Sequence, residues 1–273
     1  MAIEFIDKTI ARRLEEAHSW RSVEYTRAQA NLQPQNGCEI EAVADGFATF
    51  AGKRSPLNKA SGIGFAGPIT AAALDRIERF YRRNHVLPRI ELCPLADDSL
   101  RVLLGERGYC LEQFFNVYFC EVGQRPYPIQ LPPDTTLHQA QPDDADEWIN
   151  VTTRGFEGTA TPSQLGLEIQ APNFYSANTT CYLVRKAEKI VAGGVMATHN
   201  KVTELGGTST LPAYRRQGLQ TALLHVRLNT AREIGCEFAL VLTTPGTLSQ
   251  RNIERVGFRL AYTKAVMVGK WNK

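Results

Sequence analysis

The sequence predicts an α+β protein in which one order of strands and helices occurs twice. Each half ends with a strand, a glycine turn, a long helix, a short strand, a second helix, a Gly-aromatic pair and a long strand. The spacing matches as well, because Gly67 and Gly108 are 41 residues apart and Gly218 and Gly257 are 39 residues apart. Since the two halves share little residue identity, we interpret them as a degenerate internal repeat.

The first half begins with a helix, which the segment NLQPQNG ends. Its apolar residues recur at helical spacing: Ile6, Ile10, Leu14 and Ala17. A second, long helix also has apolar residues along one side: Leu74, Ile77, Phe80 and Tyr81. The other predicted elements are strands at CEIEAVA and GFATFAG, a strand candidate and glycine turn at LNKASGIGFAG, a strand at RIELCP, a helix at DDSLRVLLGERGY and a strand at LEQFFNVYFCEV.

The segment GQRPYPIQLPPDTT carries four prolines and predicts a semi-rigid linker. We place the domain boundary within it, between residues 1–127 and 128–273. The second half is predicted to contain, in order, a strand at TLHQAQ, helices at PDDADEWINVTTRGF and TPSQLGLEIQAPNFY, strands at CYLVRKA, IVAGGVMATHN and VTELGGTST, a long helix that ends at Ile234, a strand at FALVLTT, a helix at TLSQRNIERVGF and a strand at LAYTKAVMVGKW.

Composition and charge exclude several classes of function. A net charge of +3 over 273 residues gives no case for nucleic acid or an anionic membrane as a main partner. No window reaches the roughly 18 apolar residues of a membrane span, and the charged start of the chain lacks the apolar core of a secretory signal. The six cysteines form no CxxC pair, and no Cys/His pair has zinc-finger spacing. We therefore expect buried cysteines, no metal and a cytoplasmic protein.

The segment LPAYRRQGLQTALLHVRL contains a candidate anion-binding site at the start of a predicted helix. Arg215 and Arg216 stand beside Gly218, directly before an apolar run of helical period. A helix start is an anion site, and arginines placed there run against the helix dipole unless an anion binds. The G-x-x-x-x-G-K-[ST] pattern of a P-loop is missing. We expect a pyrophosphate held by main-chain N–H groups, with a solvated helix start as the alternative.

A second glycine pattern, GIGFAG from Gly62 to Gly67, matches the dinucleotide-binding pattern G-x-G-x-x-G. Glu91 ends the next strand at about the position of a ribose-binding acid. Pro68 at the helix start, the short strand and the lack of further βαβ units before the linker argue against a dinucleotide fold. In the repeat, Gly67 takes the place of Gly218 without arginine or glutamine beside it. A nicotinamide-dependent oxidoreductase is our third hypothesis.

The segment TSTLPAYRRQGLQTALL resembles the acetyl-CoA motif [Q/R]-x-x-G-x-[G/A] of the GNAT superfamily of acyl-CoA-dependent N-acyltransferases. The motif matches from Arg215 to Gln220, with Gln220 in place of the usual small residue. RNIERVGFRLAYT resembles the ending of the family, and the likeness extends more faintly to the first half. The resemblance implies two GNAT-like domains, each with a mixed, mostly antiparallel sheet flanked by helices. The domain at 1–127 would be degenerate and bind no cofactor, and the domain at 128–273 would be catalytic and bind acetyl-CoA.

The resemblance also implies contacts along the whole cofactor. The end of the strand would bind the pantetheine arm as an added strand, the turn would hold the pyrophosphate, and the last helix would lie near the sulfur. The predicted cofactor-binding residues are Thr208, Ser209, Thr210, Arg215, Arg216, Gln217, Gly218, Leu219, Gln220, Thr221 and Asn252. For Asn252 and for Ser249 on the same helix, capping and solvation are the alternative.

Two catalytic residues are predicted, Glu204 and Ser249. Glu204 stands 14 residues ahead of the motif glycine, where some members of the superfamily carry a general base. Partial burial among small and apolar neighbours would move its pKa toward neutrality, and an exposed strand glutamate is the alternative. Ile253 stands where the family often has a tyrosine acid, so Ser249, Tyr214 or a water would serve, or the thiolate would leave unprotonated. The oxyanion donor would be a backbone N–H near Thr208.

The resemblance and these residues together predict an N-acetyltransferase that moves an acetyl group from acetyl-CoA to an amine of a small molecule or peptide. The variable segment from Phe156 to Tyr175 would shape the acceptor pocket, together with the first domain, and it carries no motif that identifies the amine. The alternative is a non-catalytic regulatory module that binds acyl-CoA, because the usual tyrosine is missing.

Overall fold

The computed structural model describes residues 5–270, and these form two compact units. The first unit contains the chain up to Tyr118, the segment Leu242–Gln250 and the segment that starts at Arg259. The second unit contains Phe119–Val241 and Arg251–Phe258. The units are therefore not two consecutive stretches of chain. The boundary between residues 127 and 128 stays a prediction about where the two repeat copies join.

The helices and strands follow the predicted order. The helices are α1 (Lys8–Leu32), α2 (Ala71–Arg83), α3 (Asp98–Glu106), α4 (Ala145–Glu157), α5 (Gln164–Tyr175), α6 (Leu219–Glu233) and α7 (Leu248–Arg255). The strands are β1 (Glu39–Val43), β2 (Gly46–Phe50), β3 (Ala60–Ser61), β4 (Arg89–Leu92), β5 (Cys110–Glu121), β6 (Thr135–Gln139), β7 (Thr179–Lys186), β8 (Lys189–His199), β9 (Val202–Thr210), β10 (Phe238–Thr243) and β11 (Arg259–Val268).

The first unit contains a mixed sheet in the order β1-β2-β3-β4-β11-β5, to which β5 contributes its residues up to Tyr118. The pairs β1–β2, β2–β3 and β4–β11 are antiparallel. The pair β3–β4 is parallel, since α2 carries the chain back between the two strands. The predicted apolar side of α2 is confirmed, because its buried residues are Leu74, Ile77, Phe80 and Tyr81.

Five titratable residues lie buried together in the first unit, and we call them the ion cluster: Glu15, His18, Lys59, Glu91 and Lys264. Lys264 Nζ lies 2.6 Å from Glu91 Oε2 and 3.1 Å from both carboxylate oxygens of Glu15. Lys59 Nζ and His18 Nε2 lie 2.6 and 3.0 Å from the Glu91 carboxylate. Burial alone would raise the pKa of Glu91, but the charges of Lys264, Lys59 and His18 hold it well below its usual range.

The second unit contains a mixed sheet in the order β5-β10-β9-β8-β7-β6, to which β5 contributes its residues from Phe119 on and β10 its residues up to Val241. Strands β6 to β9 pair antiparallel in sequence, and β9 and β10 are parallel and joined through α6. Successive residues of β8 point to opposite faces. A Cβ on Gly193 would meet Trp148 of α4, and one on Gly194 would meet Arg227 of α6. Helices α4 and α6 therefore cover opposite faces of this sheet.

The predicted fold class is confirmed, since both units are α+β with mostly antiparallel mixed sheets flanked by helices. In the first unit, a glycine-containing turn and α2 connect the parallel strands β3 and β4. In the second unit, a glycine-containing turn and α6 connect the parallel strands β9 and β10 in the same way. The same connection in both units agrees with the repeat that the spacing predicts.

Part of the proline-rich segment, which the sequence predicts to be a semi-rigid linker, is hydrogen-bonded to α6. Tyr127 N donates to Asn229 Oδ1 over 2.7 Å, and Asn229 Nδ2 donates to Tyr127 O over 3.0 Å. The ring of His225 contacts the carbonyl of Pro128. Because one amide side chain binds both main-chain groups of Tyr127, this part of the segment has a defined position on α6.

The cysteines are less uniformly buried than expected, since Cys110 is exposed at the start of β5 and only Cys93, Cys181 and Cys236 are buried. Between residues 5 and 270, no helix combines the length and the apolar character that crossing a membrane requires. In the same range, no group of three or more His, Cys, Asp or Glu side chains could hold a metal ion.

Candidate functional site

Strand β9 has a long partner along one edge and a short partner along the other. On the first edge it pairs with β8 from Val202 to Thr210. On the second edge its parallel register with β10 covers only Val202–Glu204. From Leu205 to Thr210 this pairing leaves the second edge unused, and we call this stretch the open edge of β9. An extended ligand can add to such an edge as a strand does.

A β-bulge interrupts the pairing of β9 with β8, within the stretch of β9 that forms the open edge. The register with β8 shifts between Gly193 and Val195, so that Gly207 and Thr208 both stand opposite Gly194. Gly207 has a φ of +53°, and a Cβ on it would lie 2.6 Å from Val195 Cγ1. Any residue other than glycine would therefore be strained here, and its Cβ would require the Val195 side chain to shift.

The turn after β9 presents main-chain N–H groups to open space. A short 3-10 turn at Pro212–Tyr214 leads to Arg216 and Gly218, which have left-handed φ values of +62° and +81° before α6 begins. Ala222 N donates to Gly218 O over 3.1 Å, whereas the N–H groups of residues 219–221 have no acceptor within the helix. Nothing lies within 4 Å of a Cβ built on Gly218. Such N–H groups at the positive end of a helix can bind an anion.

Side chains hold the turn against its neighbours. Arg215 donates through Nη2 to Gly155 O over 2.8 Å and through Nε to Thr210 O over 3.2 Å. Its guanidinium therefore joins the end of α4 to the end of β9. Gln220 Nε2 donates to Thr210 Oγ1 over 3.2 Å, which gives the unusual residue of the motif a defined place.

A cation that the sequence pattern does not indicate lies beside the turn. Lys186, the last residue of β7, donates through Nζ to Gln217 Oε1 over 3.3 Å. Arg216 is exposed next to Gln217. Lys186 is far from the motif in sequence, so its approach to the turn follows only from the pairing of β7 with β8 and of β8 with β9.

Glu204 is 2% exposed, which is deeper than the partial burial expected from its neighbours, and the alternative of an exposed strand glutamate is wrong. It pairs with Ala197 of β8 and with Leu240 of β10. By strand alternation it faces the same side as Val195, the side on which α4 packs. Glu204 is thus a buried carboxylate directly before the open edge of β9.

The side chains at the end of β9 bind within the unit. Ser209 Oγ donates to Thr152 O of α4 over 2.8 Å, and Thr208 Oγ1 donates to Gly206 O over 3.0 Å. Thr210 Oγ1 accepts from Gln220, as described above. Contacts of these three residues with a cofactor would therefore involve their main-chain groups, as the added-strand expectation requires.

Helix α7 carries the other predicted residues. Ser249 and Asn252 are three positions apart and lie on one face of the helix. Ser249 is exposed and belongs to the first unit, and Asn252 is half-buried and belongs to the second, so their part in a common site stays a prediction. Ile253, at the position where a tyrosine acid is frequent, is buried and has no proton to donate.

The segment between α4 and α5 is ordered by Glu157. Its carboxylate accepts from Ser163 N over 2.9 Å, from the Ser163 hydroxyl, and from Thr159 Oγ1 over 3.3 Å. The hydrogen bonds from Ser163 lower the pKa of Glu157. Phe156 and Tyr175 are exposed aromatic residues at the ends of the two helices. They are available to contact an acceptor molecule.

The glycine run 62–67 of the first unit already binds an anion, which is the carboxylate of Asp45. Asp45 Oδ1 accepts from Gly64 N over 2.9 Å, and Oδ2 accepts from Phe65 N and Ala66 N over 2.8 and 2.6 Å. Successive N–H groups that converge on one anion form a nest of the type that binds phosphates. Because the protein fills this nest itself, the G-x-G-x-x-G match is no longer an argument for a dinucleotide site.

We expect Asp45→Ala to lower the free energy of unfolding by about 1–3 kcal/mol, because it leaves N–H groups without their acceptor. Urea unfolding measures this loss. Asp134→Ala is the matched control, since Asp134 is also exposed and has a similar φ of +58°. A loss no larger than that of the control would show that the carboxylate does not stabilise the glycine run.

Comparison with known proteins is consistent with this geometry. Residues 144–258 match the model of the acetyltransferase (GNAT) family. No curated protein matches the sequence. Among solved structures, a GCN5-related N-acetyltransferase from Kribbella flavida is 22% identical with a TM-score of 0.64, and the match covers 92% of this chain and 96% of that chain.

Two further solved structures share the fold. A GCN5-related N-acetyltransferase from Sphaerobacter thermophilus is 15% identical with a TM-score of 0.52, over 67% of this chain and 59% of that chain. A tandem GNAT protein from the clavulanic acid biosynthesis pathway is 10% identical with a TM-score of 0.56, over 86% of this chain and 79% of that chain. The family match includes the bulge, the turn and Glu204, and this chain therefore carries a domain of the GNAT acetyltransferase family at residues 144–258.

Proposed function

We propose that the GNAT domain binds acetyl-CoA along the open edge of β9 and at the turn before α6, and transfers the acetyl group to an amine of a small molecule or peptide. One observation carries this proposal: an open strand edge, a bulge and a main-chain anion site follow one another within residues 205–221. The amide groups of a pantetheine arm can bind to the strand edge, and a diphosphate suits the start of α6. Arg216 and Lys186 add positive charge there.

The reaction makes one bond and breaks one. The neutral amine nitrogen attacks the carbonyl carbon of the thioester, the C–N bond forms, and the C–S bond breaks as the oxyanion collapses. The amine proton passes to Glu204, directly or through a water. The thiolate takes a proton from Ser249, Tyr214 or solvent, and a thiol pKa near 8.5 also allows it to leave unprotonated. Main-chain N–H groups of the bulge would stabilise the charge on the carbonyl oxygen.

A second candidate function is a regulatory module that binds acyl-CoA without turning it over. The buried, apolar Ile253 favours this candidate, because it stands at the position of the frequent tyrosine acid. The two candidates require the same binding site, so they differ only in whether any amine accepts the acyl group.

The test is a screen of an amine library for release of free thiol from acetyl-CoA and from longer acyl-CoA esters, with calorimetry of acetyl-CoA and NAD in parallel. We expect thiol release with at least one amine, one acetyl-CoA bound per chain and no heat with NAD. Tight binding without turnover of any amine would favour the regulatory module. Absence of acetyl-CoA binding would overturn both candidates.

Arg216→Glu is expected to raise the dissociation constant of acetyl-CoA about 10-fold or more. A hydrogen bond to a charged group contributes about 1.5–3 kcal/mol, and the variant also introduces repulsion beside the diphosphate. Calorimetry at low salt measures the change, which should shrink at high salt because the site is exposed. Arg101→Glu, an exposed position on α3, changes the net charge equally and is the control. An unchanged dissociation constant for Arg216→Glu would mean that the phosphates bind elsewhere.

A further inference from the structure

Arg227 of α6 lies fully buried behind the bulge of β9. Its Nη1 donates to Val195 O over 2.9 Å and to Gly206 O over 3.2 Å, and its Nε donates to Leu223 O over 2.8 Å. Val195 and Gly206 form the residue pair directly before the register shift, so one guanidinium joins α6 to both strands at the bulge. Burying a guanidinium carries a large desolvation cost that an apolar side chain would avoid.

The backbone around Arg227 is arranged to receive this side chain. A Cβ on Gly194 would lie 3.1 Å from Arg227 Cζ and 3.1 Å from Thr208 Oγ1, so a larger residue would require one of these side chains to shift. Thr208 Oγ1 itself donates to Gly206 O over 3.0 Å. The Gly206 carbonyl therefore accepts from one charged and one neutral donor, and its direction is fixed.

The direction of this carbonyl determines the direction of the next N–H group. The peptide between Gly206 and Gly207 is trans and planar, so the Gly207 N–H points opposite to the Gly206 carbonyl. Arg227 Nη1 contacts the Gly206 carbonyl and the Val195 carbonyl of β8 together, so the Gly206 carbonyl faces β8. The Gly207 N–H consequently faces the open edge of β9. A cation on the carbonyl oxygen also polarises the peptide and strengthens its N–H as a donor.

We propose that Arg227 is a positioning residue for acetyl transfer, because it holds and polarises the Gly206–Gly207 peptide whose N–H receives the carbonyl oxygen of the thioester. This inference rests on the proposed binding of acetyl-CoA along β9. It assigns to Gly207 the oxyanion donor that the sequence places only near Thr208. Arg227 does not touch the substrate and acts through the peptide.

The test is infrared spectroscopy of the full-length protein with acetyl-CoA that carries ¹³C at the acetyl carbonyl. In the parent protein, the carbonyl band of bound acetyl-CoA is expected below its frequency in solution, because a hydrogen-bond donor weakens the C=O bond. In Arg227→Lys, which keeps the charge but lacks the planar fork, and in Arg227→Met, the band should move back toward the solution frequency.

Kinetics and binding give a second readout. With an acceptor amine from the screen, kcat is expected to fall about 10-fold or more in Arg227→Lys, less than the 10²–10³-fold for loss of an oxyanion donor itself. The dissociation constant of CoA, which has no acetyl carbonyl, should change less than about threefold. Asn229→Ala, which loses the contact of α6 with Tyr127, is the control and should leave the band and kcat unchanged.

Circular dichroism and thermal unfolding identify any variant that does not fold. If the Arg227 variants do not fold, Thr208→Val tests the same carbonyl. Its band should move back toward the solution frequency by less than the band of an Arg227 variant would, because it removes a neutral donor. The inference is overturned if the parent shows no band shift, or if the shift persists in folded Arg227→Lys. Where the Arg227 variants do not fold, a shift that persists unchanged in Thr208→Val overturns it. Absence of acetyl-CoA binding to the parent in calorimetry would instead overturn the proposed function, and this inference with it.

Discussion

Replacing Glu204 by glutamine is expected to lower acetyl transfer about 10²–10⁴-fold, which is the usual contribution of a positioned base. Glutamine keeps the size and hydrogen-bonding capacity of the side chain but cannot accept the amine proton. The affinity for acetyl-CoA should change little, because Glu204 precedes the open edge of β9 and lies 14 residues from Gly218 at the turn. Steady-state kinetics with an amine from the screen measures the first effect, and calorimetry measures the second.

The pH–rate profile separates loss of a base from general damage to β9. A variant without the base needs an amine that is already neutral in solution, so its rate should continue to rise with pH where the parent levels off. Thr203→Val is the matched control, since Thr203 is the buried neighbour of Glu204 and faces the opposite side of the sheet. If Glu204→Gln retains turnover within about threefold of the parent, the proton leaves by another route.

The order of helices and strands can be predicted from the sequence because each element has a local signal. The apolar side of α2 repeats at helical spacing, and its four predicted residues are buried in the structure. The turn before α6 is equally local, because Gly218 provides a positive φ directly before an apolar helical run. Signals of this kind lie within a few residues of each other, so they do not depend on how the chain folds back on itself.

Contacts between distant segments leave no such signal. Asp45 binds a main-chain N–H 19 residues away, Lys186 reaches a side chain 31 residues away, and Arg227 binds a carbonyl 32 residues away. An arginine on a helix is normally solvated, so the burial of Arg227 contradicts the usual expectation. The available hint is a pair of glycines in each of β8 and β9, since strand glycines mark a close approach of other atoms to the backbone.

The assignment of β11 to the first unit is also a long-range property. Tyr262, Lys264 and Val266 alternate along β11 and are all buried, so a lysine occupies an inward position of the strand. Its partner Glu15 is 249 residues away on α1. Local sequence alone suggests that the strand packs with the elements just before it. The ion cluster shows why β11 belongs to the first unit, because this unit provides Glu15 and Glu91 as partners for Lys264.

Replacing Lys264 by methionine is expected to lower the free energy of unfolding by about 3–5 kcal/mol, since removing one partner of a buried ion pair leaves the buried carboxylates with less compensating charge. Glu15 would keep the hydrogen bond that Tyr262 OH donates over 2.8 Å, and Glu91 would keep Lys59 and His18. Urea unfolding at pH 7 measures the loss. Lys201→Met removes an exposed ion pair with Glu237 and should cost less than about 1 kcal/mol.

The pH dependence of the stability lost in Lys264→Met tests whether the loss comes from the charge of Glu91. The folded pKa of Glu91 is lowered, so its ionised form stabilises the fold above the unfolded pKa near 4.3 and loses this effect as the pH falls through the folded pKa. Lys264 contributes the largest of the charges that lower this pKa, so its removal raises the folded pKa. The stability difference between the parent and Lys264→Met should therefore shrink as the pH falls below the folded pKa that Glu91 has in the variant. A difference below about 1 kcal/mol at pH 7, or one that does not change with pH, would contradict the role assigned to Lys264 in the ion cluster.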